Sequence, residues 1–150
     1  MKTLCIVPCG KRKIWDKKPE LGPVKAKEAY IGVFTKKCME YAEKFYPNSW
    51  CILSAKHGFL FPEDIVPGPY DVTFNNPKTN PISIDELKRQ AKEKALEKYE
   101  VIVVLGGKKY VNIIKEVFSN KEVKSPLSGK GGIGKMMKIL KEAVTKGKTL

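Results

Sequence analysis

Histidine occurs once in these 150 residues and arginine twice, and the four cysteines never fall as a Cys-x-x-Cys pair. Cys5, Cys9, Cys38 and Cys51, at separations of 4, 29 and 13, do not have the paired spacing of a zinc site. Cys5, Cys38 and Cys51 sit in apolar patterns, where a free thiol acts as a small hydrophobe, so neither metal, disulfide nor cofactor is implied. No apolar run approaches the roughly 18 residues of a membrane span. Met1-Lys2-Thr3 passes straight into a strand-like run, which leaves no room for a signal peptide. The expectation is a cytoplasmic protein without a membrane partner. Internal repeats and linkers are also missing, and the chain reads as one domain over residues 1–150.

Positive charge is abundant: 29 Lys+Arg against 16 Asp+Glu give a net +13. Such a surplus suits a polyanion, because cations that neutralise phosphates release condensed counterions. Twenty-seven of the 29 are lysine, which also fits a compositional bias, since bidentate phosphate contacts favour arginine.

Apolar runs at 3–8, 50–54 and 100–105 predict three buried strands. The last, Glu-Val-Ile-Val-Val-Leu, lacks polar alternation and is expected to be covered on both faces. Between them, apolar residues from Ala26 to Phe45 recur at helical spacing and predict one long helix ended by Pro47. Residues 55–81, with Pro62, Pro67, Pro69, Pro77 and Pro81, read as a long loop. Ser83 and Glu86 form a capping box before a helix whose apolar face is Leu87, Ala91 and Ala95. Further helices follow around Tyr110–Phe118 and Ile133–Val144, with a short strand near Val123. Strands alternating with helices predict a three-layer α/β domain, with a mostly parallel sheet of about four strands and flanking helices (Rossmann- or flavodoxin-like).

Ligands of such sheets bind outside the carboxyl ends of the strands. The three strands end at Cys9-Gly10, Ser54-Ala55 and Gly106-Gly107, and the small residues there allow close backbone approach. Cys9, beside Lys11, Arg12 and Lys13, is a candidate nucleophile, because neighbouring cations favour a thiolate; the competing reading is a small buried residue. Lys11 and Lys13 are candidate anion contacts. Ser54-Ala55-Lys56-His57-Gly58 holds the lone histidine, an acid or base near neutral pH, with Asp64 and Asp71 as groups that could orient it. Ser54, His57 and Asp71 therefore join Cys9 as candidate catalytic residues. Lys56, Gly58, Asp64, Tyr70, Gly106, Gly107 and Tyr110 are candidate substrate contacts. Gly129 to Met136 nearly spells a P-loop, but methionine stands where Mg²⁺ needs Ser or Thr. A nucleoside triphosphatase is rejected, and Gly131 and Gly134 remain as a possible one-phosphate seat at a helix start.

These motifs carry a resemblance. Ile6-Val7-Pro8-Cys9-Gly10, Ala29-Tyr30-x-Gly32, and Leu53 to Asp64 continuing to Pro69-Tyr70-Asp71 look like a domain-of-unknown-function family of archaea, bacteria and phages. Gly106-Gly107-x-x-Tyr110 and Pro126-Leu127-x-Gly129 fit it too. Similar signatures occur in the peroxide-stress protein YaaA family and, more distantly, in the catalytic domain of archaeosine synthase. The resemblance implies an α/β domain connected with nucleic acids. The Lys-Pro-Tyr-Ser block of archaeosine synthase is replaced by Ile14-Trp15-Asp16, so its lysine-transfer activity does not carry over. Two functions are thus expected to compete. One is an enzyme acting on a nucleotide or modified nucleobase, with Tyr70 stacking on a base; the other is a non-catalytic DNA- or RNA-binding protein.

Overall fold

The computed structural model describes residues 2–150. Strands β1 (Thr3–Pro8), β3 (Trp50–Ser54), β6 (Val101–Val104) and β7 (Glu122–Lys124) run parallel in the order β3-β1-β6-β7. A fifth strand, β4 (Gly58–Leu60), pairs antiparallel with β3 at the outer edge. A separate two-stranded ribbon joins β2 (Val24–Lys25) to β5 (Ile65–Val66).

Period-two alternation sends each strand's side chains to two cores. Cys5, Val7, Trp50, Ile52, Val103 and Leu105 pack under α2 (Val33–Phe45) and α5 (Ile133–Lys146). Leu4, Ile6, Cys51, Leu53, Ile102 and Val104 pack under α3 (Ile84–Glu93) and α4 (Lys108–Val117). Both faces are covered, as the unbroken apolar runs required, and the three-layer α/β expectation holds. No helix among the described residues is long and apolar enough to cross a membrane.

Three local expectations are corrected. The long helix from Ala26 is broken: α1 (Ala26–Ala29) stops at Tyr30, whose backbone is extended and bridges Lys13, and Gly32 caps a new helix. A cross-chain pairing overrides apolar spacing that continues through the break. Residues 55–81 are not structureless, since they contain β4, β5 and a 3-10 turn at Pro77–Thr79. Ala95 does not extend the face of α3; it lies beyond the helix in a left-handed conformation and is exposed. Half of the expected capping box forms: the Ser83 hydroxyl accepts from the Glu86 amide at 3.1 Å, while the Glu86 carboxylate pairs with Arg89 instead of reaching back.

Strand β1 has β3, which follows it, on one side and β6 on the other. The winding reverses there, so the carboxyl ends of β1 and β6 form the switch point, the crevice at which open α/β sheets take their ligands. This edge positions the candidate site.

Candidate functional site

At the end of β3 the backbone turns sharply, and Ser54 Oγ accepts the amides of Lys56 (3.3 Å) and His57 (3.0 Å). With both lone-pair directions taken, the Ser54 hydroxyl proton is left to donate, and its partner is Tyr70 Oη at 2.7 Å. Tyr70 Oη also meets Tyr30 Oη at 2.5 Å. A chain of three hydroxyls therefore ties the end of β3, the break between α1 and α2, and the returning loop into one rigid unit. Burial pushes the Tyr30 phenol up to about 12 and raises Tyr70 as well, so both are neutral at physiological pH.

Lys13 packs its ammonium 4.3 Å from the centre of the Tyr70 ring, with Lys56 at 5.7 Å. The Lys13 residue is only 7% exposed. Its Nζ donates to one acceptor, the Lys11 carbonyl, at 3.0 Å, and it forms no ion pair among the described residues. An ammonium has three donors, and a buried cation without a carboxylate is costly. The pairing of Lys13 with Tyr30 turns its side chain inward, whereas Lys11 and Arg12 stay exposed.

In the crevice, Cys9 Sγ lies 3.3 Å from Tyr110 Oη. The amides of Gly10 and Cys9 also act on that phenol oxygen, yet burial wins and holds the Tyr110 pKa above its ordinary value. Gly10 is left-handed (φ 68°), and a Cβ there would come within 2.8 Å of Thr35 Oγ1 at the start of α2. Gly106 and Gly107 open α4, which carries Tyr110. Phe74, on the loop after Tyr70, packs edge-on against Tyr110 with ring centres 5.7 Å apart. Ile82 then donates to the Ala55 carbonyl at 2.8 Å, so residues 70–82 lie over the strand ends.

His57 stands edge-on to Tyr70 with ring centres 5.1 Å apart, and its buried Nε2 has no hydrogen-bond partner. Burial, helped by Lys56, lowers its pKa below the ordinary 6.5. As pH falls below 6.5 the unfolded chain binds the proton first, so the stability tied to neutral His57 is full above that pH and is lost on acidification. The melting temperature is expected to drop between pH 7 and pH 5, and His57→Gln to flatten that part of the profile. An unchanged slope would show that His57 does not titrate differently on folding.

Cys9, Gly10, Lys13, Ser54, Lys56, His57, Tyr70, Gly106, Gly107 and Tyr110 thus share one edge. The exposed Lys11 joins them through its carbonyl. Asp64 is not brought there. Strand β4 runs back along β3, Ser54 opposite Gly58 and Ile52 opposite Leu60, and carries Asp64 toward the other sheet edge. Its carboxylate accepts from the Phe61 amide at 2.8 Å and the Lys94 ammonium at 3.3 Å. Asp71 is exposed rather than turned inward. Gly58 serves packing against Gln90. Gly131 and Gly134 flank the start of α5, in the segment after β7. Tyr30 and Phe74 were missed as site residues. Tyr30 reads by spacing as one more apolar helix position, and the signal that set it apart is the Ala29-Tyr30-x-Gly32 motif of the resemblance. A concavity of about 1230 Å³ lies along α2 beside Trp50, Phe61 and Pro62, and none of the cluster's residues lines it. It is an open trough of mixed charge without convergent reactive groups.

All four cysteines are free and buried. Burial raises the thiol pKa of Cys5 and Cys38 and pushes Cys51 to about 12. Cys9, expected near the surface, is 4% exposed, against 0% for the other three. Alkylation at neutral pH is expected at Cys9 first, read by mass spectrometry. Earlier labelling of Cys38 or Cys51 would contradict its placement at the crevice.

Residues 4–142 match a family of unknown function, DUF6884, and the chain belongs to that family. It is similar to the uncharacterized protein YfjM of Bacillus subtilis (strain 168), 48% identical over 145 residues and covering 96% of each chain. No solved structure matches.

Proposed function

We propose that the protein is an enzyme acting on a nucleotide or modified nucleobase held in the crevice between the ends of β1 and β6. The observation that carries this reading is Lys13: a residue 7% exposed whose ammonium lies over the Tyr70 ring, bonds one carbonyl and pairs with no carboxylate among the described residues. A phosphate or other anionic group of the ligand is the partner that satisfies it. Cys9 and His57 are the groups left to react. The thiol lies against Tyr110 at the end of β1, and a neutral imidazole whose buried Nε2 has no partner can accept a proton. Ser54 positions Tyr70 and the Lys56-His57 turn rather than attacking, because its oxygen already takes two amides. Phe74 and Tyr70 provide aromatic surface for a base. The motif resemblance to the YaaA family and to archaeosine synthase points in the same direction.

A second reading, a binding module without chemistry, is favoured by the near-complete burial of Cys9. Calorimetric titration with nucleoside 5′-monophosphates tests the ligand class. Binding that survives in His57→Ala and Cys9→Ser, with no turnover in wild type, favours the module. No binding of any nucleotide overturns the enzyme reading.

A further inference from the structure

The geometry points to a single-stranded nucleic acid, laid across the carboxyl edge of the sheet, as the form in which the nucleotide is presented. This rests on the nucleotide reading of the crevice and extends it to a polymer. The segments that follow the four parallel strands, 9–13, 55–57, 105–109 and 125–135, contain eight basic residues; the acids bordering them are Asp16, which accepts from the Lys13 amide, the exposed Asp71, and Asp85 and Glu86 at the start of α3. Four of the eight lie after β1 and β3. The rest are Lys108 and Lys109 after β6, and Lys130 and Lys135 after β7. At the opposite edge, Lys2 and the segments 61–64, 94–100, 118–121 and 147–150 carry five bases against four acids. A lysine-rich composition would load both edges alike, whereas the strand-end segments carry eight bases.

Helix electrostatics give a second, independent argument. Helices α2, α3, α4 and α5 begin at this edge, and all but α3 have no acidic residue in the first turn. Helix α4 starts on Lys108 and Lys109, and Lys135 is the third residue of α5. Cations at a helix N-terminus oppose the helix dipole, so their placement does not serve folding. Helix α3 shows the favourable arrangement, with Asp85 and Glu86 in its first turn. Positive potential is concentrated here at the expense of stability, as a polyanion track requires.

The row crosses four strands, about 14 Å at ~4.8 Å per strand, and one monophosphate cannot engage eight cations. Val33 and Ile133, first in α2 and α5, are 61% and 56% exposed. They offer apolar contacts that unpaired bases can use and a duplex backbone cannot.

Fluorescence anisotropy with a labelled single-stranded oligonucleotide of about 12 nucleotides, at about 50 and 200 mM KCl, tests this. The oligonucleotide is expected to bind about 100-fold tighter than a nucleoside monophosphate and to lose about 30-fold or more across that salt range. The charge-reversed variant K108E/K109E/K130E/K135E is expected to lose about 20-fold or more for the oligonucleotide. Its monophosphate affinity should fall by much less than its oligonucleotide affinity, and its melting temperature should stay at or above wild type, because the helix starts then agree with the dipole. Equal affinity for oligonucleotide and monophosphate, indifference to charge reversal, or tighter binding of a duplex of equal length overturns the track. Loss of monophosphate binding alone, with oligonucleotide binding and its response to charge reversal intact, overturns the crevice reading and leaves the track standing.

Discussion

Lys13→Met is expected to fold at least as stably as the wild type and to lose nucleotide binding. The two effects have separate causes. In the free protein the ammonium has one carbonyl, 3.0 Å away, and the face of Tyr70. A desolvated cation–π contact contributes about 2 kcal/mol, whereas burying an ammonium costs several kcal/mol. Methionine keeps the apolar stem, fills similar volume and removes the buried charge. The melting temperature should therefore stay level or rise. A charge-assisted bond to an anionic ligand is worth about 1.5–3 kcal/mol, so affinity should fall roughly 10- to 150-fold. Thermal melts with and without a nucleoside monophosphate read both effects. A variant that melts well below wild type would show that Lys13 is a structural anchor.

Gly58→Ala should be the most destabilising single change at this edge, by about 3–8 kcal/mol. Gly58 is left-handed at φ 77°, and an added Cβ would stand 2.1 Å from Gln90 Oε1. The Gln90 side chain is flexible but not free. Its Oε1 accepts the Phe59 amide at 2.9 Å, and its Nε2 donates to the His57 carbonyl at 2.9 Å. The amide group thus covers the open edge of β4 as a further strand would. To make room it must release two backbone groups, each costing about 1–3 kcal/mol when left unpaired, on top of about 1–2 kcal/mol for the left-handed backbone. A double-mutant cycle by urea denaturation separates these contributions. In a Gln90→Ala background the same substitution should cost only about 1–2 kcal/mol, the backbone part. Equal costs in both backgrounds would mean that Gln90 does not hold Gly58.

The strands were legible because β1, β3 and β6 are short apolar runs buried on both faces, and their small terminal residues mark the crevice. What escaped the sequence was non-local. The break at Tyr30 depends on pairing with Lys13, and helical spacing persists across it. Gly58 reads as a glycine that admits a ligand, while its neighbour is a side chain 32 positions on. Asp64 lies in the same loop as Tyr70, but three-residue strands reverse the chain between Ser54 and Asp64 and send the carboxylate to the other edge. Lys11, Arg12 and Lys13 are three consecutive cations, and nothing local tells which one is buried. That choice is made by the bridge to Tyr30, and the functional reading depends on it.

The most direct measurement is therefore a crystal structure of the protein with a nucleoside 5′-monophosphate. The account expects the phosphate, or another anionic atom of the ligand, within hydrogen-bond reach of Lys13 Nζ (about 3 Å), and the base near Tyr70 and Phe74. A ligand in the trough beside Trp50 and Phe61, with Lys13 still bonded only to the Lys11 carbonyl, would contradict it.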